Sequence, residues 1–136
     1  MRLKYIVLGV LVFVGSMQAA LSAESVGIRF VRAHHGDSVS PALRDVERLL
    51  RSNLPYRGFE LLSRTSMALP VRGQSSGLAR GFRISCNGDA GRLSVRVDRG
   101  DATLLNVAVA LRPGTPVILG GFPDGADRLL LVLVAR

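Results

Sequence analysis

The seven residues from Leu129 to Ala135, LLLVLVA, carry no polar side chain, and the chain stops one residue later at Arg136. In an extended strand alternate residues face opposite sides, so Leu129, Leu131 and Leu133 point one way and Leu130, Val132 and Val134 the other. A strand apolar on both faces belongs in the middle of a sheet covered on both sides. A partner surface is the other use of such a run if one face stays exposed. Elsewhere the pattern is alternating. Ser25 to Ala33 reads SVGIRFVRA, with Val26, Ile28 and Phe30 on one face and Arg29 and Arg32 partly outside it, which predicts a first strand.

HHGDSVS follows as a loop, and then the period changes. Leu43, Val46, Leu49 and Leu50 recur at helical spacing, Ser40 stands at the N-cap and Pro41 at the first helical position, predicting one amphipathic helix. Asn53 and Pro55 end it. Its opposite face carries Arg44, Arg48 and Arg51, with Glu47 four residues ahead of Arg51 for a helix-surface pair.

After the helix the period returns to two. Leu61, Ser63, Thr65, Met67, Leu69 and Val71 share one face of a long extended stretch, and GQSSG (Gly73 to Gly77) reads as a flexible turn. Phe82, Ile84 and Cys86 make a strand, NGDAG (Asn87 to Gly91) a hairpin loop, and Leu93, Val95 and Val97 the return strand. Gly100-Asp101, Pro113-Gly114 and Pro123 to Gly125 mark turns between Thr103–Leu111, Val117–Leu119 and the final strand. The fold class is α+β: mainly antiparallel sheet, six or seven strands in a meander or sandwich, with one amphipathic helix after the first strand. One helix covers one patch of sheet, so the remaining apolar face requires the sheet to fold over itself.

The first residues alter the picture of where this domain works. MRLKYIVLGVLVFVGSMQAALSAES has a basic start at Arg2 and Lys4, an apolar stretch from Tyr5 to Val14 and small residues after it, the three parts of a secretory signal. Cleavage is expected after Ala23, with Ala20 or Ser22 as alternatives. Residues 1–23 are then a signal peptide and 24–136 a single domain, exported to the periplasm or the exterior, with no membrane span left and no cysteine near the boundary for a lipid anchor. Of 18 basic residues the signal takes two, so 16 arginines face 10 carboxylates and the net charge is +6. Nucleic acid is not the expected partner, because the arginines are dispersed and the exported part has one Tyr and no Trp for base stacking. Cys86 has no second cysteine to pair with; alternating with Phe82 and Ile84, it reads as a small core hydrophobe.

Chemistry-bearing residues are few. AHHGD places His34, His35 and Asp37 together, residue types that ligate metals or serve as a base. Adjacent histidines on an extended chain point apart, and a polar loop is the simpler account. GQSSG and GGFPDG (Gly120 to Gly125) lack the Lys-Ser/Thr and the helix of a phosphate cradle, and no GxSxG elbow occurs. Asp98 and Asp101 sit at a hairpin tip, where turns alone favour acidic residues. No cofactor is expected. Arg44, Arg48 and Arg51, with Arg57 just beyond, form the best-defined basic patch, suited to bidentate grip on acidic groups.

Pro113-Gly114, the apolar strand Val117 to Gly121 ending in Gly-Gly, and the closing strand Leu129 to Val134 together resemble the closing hairpin of bacterial secretins. The proline-rich lip of that pattern is replaced here by the short connector Phe122 to Arg128. The order of strand, PALRDVERLL helix, FELLSR strand and Gly-Gly hairpin also resembles small exported bacterial proteins. The second resemblance implies a shared fold and export, with no established activity; no pore is inferred from the first. The sequence-level expectation is a non-enzymatic, exported protein-interaction or assembly module, with an envelope or secretion-system protein as partner. The alternatives are a small ligand-binding or metal-dependent enzyme domain using His34, His35 and Asp37, and a binder of acidic envelope polymers.

Overall fold

A computed structural model describes residues 23–136 and, upstream, the backbone of Ile6 and Val7. The expected signal peptide otherwise lies outside the described residues. Among the described residues nine strands build two antiparallel sheets: β1 (Ile6–Val7), β2 (Ser25–His34), β3 (Gly58–Ala68), β4 (Val71–Gly77), β5 (Phe82–Asp89), β6 (Arg92–Arg99), β7 (Ala102–Val109), β8 (Val117–Asp124) and β9 (Asp127–Ala135). The first sheet has the order β1-β8-β9-β2-β3 and the second β4-β5-β6-β7. The second sheet is thus a simple meander inserted between β3 and β8.

Two apolar clusters explain why the sheets stack. Val26, Ile28 and Phe30 of β2 meet Phe82, Ile84, Cys86, Leu93, Val95 and Val97 of the second sheet to form the core between the layers. Val31 and Ala33 of the same β2 face the other way, onto Leu43, Val46 and Leu50. The first sheet is therefore the middle of three layers, with the helical segment outside it. β9 lies between β8 and β2 and contributes Leu129, Leu131 and Leu133 to one cluster and Leu130, Val132 and Val134 to the other. The α+β, β-rich architecture and the two-faced closing strand follow the hydrophobic pattern, with more strands than the six or seven expected.

Six local expectations are corrected. The helix is not continuous: Pro41–Leu43 is a 3-10 turn and the α-helix α1 runs from Glu47 to Asn53. The guanidinium of Arg29 donates to the Ala42 carbonyl at 2.9 Å, and the Val46 amide, which an α-helix would bond there, donates to Leu43 at 3.0 Å instead. Ser40 does not cap the helix; its hydroxyl accepts the Leu61 amide of β3 at 3.0 Å.

The single face expected from Leu61 to Val71 is interrupted as well. Leu62 is an extra residue opposite Phe30-Val31, so Phe59 and Leu61 face the helical layer while Met67 faces the second sheet. GQSSG is strand, not turn: Ser75 and Ser85 hydroxyls bond at 2.8 Å and the Gly73 amide donates to the Asn87 side chain at 2.9 Å. Cross-strand bonding here overrides weak intrinsic preference. Likewise Gly120 to Asp124 continues β8 through a bulge, leaving Gly125-Ala126 as the turn, and β5 continues through Asp89.

Cys86 is buried, and burial alone pushes its thiol up to about 11. The reactive thiolate is then scarce near neutral pH. In native buffer Cys86 should react with a thiol reagent at least ~100-fold more slowly than in denaturant, read by mass spectrometry; equal rates would place it outside the core.

Candidate functional site

The two leucine-type anchors of the helical layer, Leu43 and Leu50, are buried against the first sheet, which forces the opposite side of the segment into solvent. Along that outer side lies an open recess lined by Arg44, Glu47, Arg48, Arg51 and Ser52. Arg51 pairs with Glu47 at 3.3 Å, the expected four-residue spacing, and also donates to the Arg57 carbonyl at 3.1 Å. Arg57 pairs with Asp37 at 3.0 Å. Among the described residues Arg44 and Arg48 have no carboxylate partner, and both are exposed. Of the four arginines predicted from sequence, two are free to meet another molecule and two are held locally.

The histidine loop comes out differently. The Gly36 amide donates to Nδ1 of His34 at 3.1 Å, and the His34 ring packs so close to Gly58 that a Cβ there would lie 2.2 Å from its Cε1. His35 turns away and its ring sits against Tyr56 with centroids 4.9 Å apart. Asp37 is taken by Arg57. Glu60 is taken by Arg32, which bonds it at 2.7 Å and also grips Asp127. Among the described residues no three of His, Cys, Asp and Glu are grouped as metal ligands. The loop's three members each have a separate neighbour. Asp98 is engaged too: Thr103 and then Arg96 hold its carboxyl below the ordinary range.

Arg29, outside the predicted patch, orders this region. Arg29 makes a bidentate pair with Asp45, at 2.8 and 3.0 Å, in addition to its bond to Ala42. It fastens the link between the 3-10 turn and α1 to the first sheet, and so fixes where Arg44 and Arg48 stand. The Arg29 hydrogen bond is the main reason the Asp45 carboxyl is lowered from its ordinary value of 3.8.

A lowered carboxyl contributes stability above its unfolded value and loses it as pH falls through the folded one. Asp45 is half exposed, with a side-chain exposure of 53%, so solvent screening keeps the pair's contribution near or below about 1 kcal/mol. Asp45→Asn should therefore destabilise modestly at pH 7, and the difference from wild type should close as pH falls below the carboxylate range. Urea titrations across pH 2–7 check this prediction; a gap that widens in acid would contradict it.

Among the described residues no helix is long and apolar enough to cross a membrane. No family model matches this chain, and no curated protein or solved structure is significantly similar to it.

Proposed function

We propose that this chain is an exported, non-enzymatic envelope protein that acts by binding another protein, a component of a secretion or surface-assembly system. The observation that carries the reading is the pair Arg44 and Arg48. They stand exposed and without carboxylate partners on a segment whose other side is anchored by Leu43, Val46 and Leu50. Two exposed guanidiniums four residues apart on an anchored segment fit carboxylates on an acidic protein surface, each by a two-bond fork. The basic start, apolar stretch and small residues of positions 1–23 support export.

Charge complementarity of this kind acts strongly on encounter rate and specificity. Arg44→Glu with Arg48→Glu is expected to weaken partner binding at least ~30-fold, about 2 kcal/mol, while His34→Ala with His35→Ala leaves it unchanged. Binding measured on captured partner checks both. The reverse pattern would move function to the histidine loop. Affinity that collapses with salt and ignores partner identity would instead indicate an acidic envelope polymer.

A further inference from the structure

The first sheet ends in two unlike edges. β3 carries Glu60 and Arg64 along its length, charges of the kind that discourage further pairing. At the other side β8 begins Val117-Ile118-Leu119-Gly120, and the last three of these are buried. Blunting starts only beyond them. A bulge breaks the register between Gly120 and Phe122, and Pro123 has no amide to donate. A short stretch of apolar backbone edge is left between Val117 and Gly120.

The chain itself pairs with the Leu119–Gly120 half of that stretch. Ile6 lies opposite Gly120 and Val7 opposite Leu119, antiparallel, as the two-residue strand β1. Both belong to the segment read as a signal peptide. Among the described residues, the buried members of both cores fall within Val26–Ala135, and removal of residues 1–23 takes β1 away from the edge.

We propose that the Val117–Gly120 edge of β8 is a strand-acceptor site for a partner protein, whose place β1 holds in the uncleaved chain. The ligand is a short extended segment, apolar and β-branched, running antiparallel to β8 and paired through its backbone. Its side chains alternate beside Val117 and Leu119 on one face of the sheet and Ile118 on the other, so a charge on either face is disfavoured. The edge is separate from the arginine recess, and it depends on the export reading only for its vacancy.

The test uses residues 24–136 and a synthetic peptide, Leu3 to Val10 of this chain, as the probe strand. At saturating peptide the amides among Val117–Gly120 that face outward should exchange with solvent at least ~10-fold more slowly. The same peptide carrying Ile6→Pro and Val7→Pro should have no effect. No slowing, or equal slowing by the proline peptide, would overturn the proposal. Slowing without peptide that grows with protein concentration would overturn it too, by assigning the edge to a second copy. Failure of the export reading is seen separately, as cellular protein that retains residues 1–23, and leaves the peptide result intact.

Discussion

Leu131→Ala is expected to destabilise the domain by about 3–5 kcal/mol, and Leu130→Ala by a similar amount. The two residues are neighbours in β9 and both are fully buried, yet they serve different cores. Leu131 stands between Phe30 of β2 and Leu119 of β8, inside the layer between the sheets. Leu130 packs with Val132, Ile118 and the anchors Leu43 and Leu50 beneath the helical segment. Each truncation leaves a cavity in a separate cluster, so the costs should add. Their sum approaches the whole stability of a domain of this size, and the double variant should not fold. Urea denaturation of the three variants measures this. A cost under about 1 kcal/mol for Leu130 alone would mean that the helical layer does not cover the first sheet.

Gly120→Ala is the second large effect. Gly120 sits in β8 with φ of 122°, and an added Cβ would lie 3.0 Å from the Leu129 carbonyl oxygen, 3.0 Å from Phe122 Cε2 and 3.2 Å from Leu130 Cα. Two of these three neighbours are backbone in the central strand and cannot step aside. Backbone strain of about 1–3 kcal/mol then adds to the crowding, for a total near about 3 kcal/mol. Gly121 offers the internal comparison. Its φ is 104°, but nothing lies within 4 Å of its Cβ position, so Gly121→Ala should carry strain alone and cost less. Thermal melts of both variants give the order; equal losses would show that crowding against β9 plays no part.

What the sequence disclosed divides along physical lines. The two faces of β9 were legible because every position from Leu129 to Ala135 is apolar, which leaves neither face for water. The Glu47–Arg51 pair was legible because four-residue spacing on a helix is a local rule, and the outward arginines because the leucines of the same segment must be buried. The features that escaped depend on partners remote in sequence. Arg29 breaks the helix by taking a carbonyl 13 residues away, and Arg32 reaches Asp127 across 95. The Gly and Ser residues of β4 look like a turn until β5 supplies Ser85 and Asn87 as partners. Leu62 looks like one more alternating residue until its place opposite Phe30-Val31 makes it a bulge. In the candidate site, Arg44 and Arg48 kept the exposure expected of them. Arg57 did not stay free, because the chain brings Asp37 beside it after the helix has turned back.

The central claim is that the exported domain meets its partner through Arg44 and Arg48. Cross-linking in intact cells, with mass spectrometry of the adduct and of the chain's own N-terminus, tests it most directly. The account predicts a discrete adduct with one envelope protein, on a chain that has lost residues 1–23, and loss of that adduct in the Arg44→Glu, Arg48→Glu variant. An adduct that survives the double reversal, or a chain that keeps its first 23 residues in the cytoplasm, would contradict it.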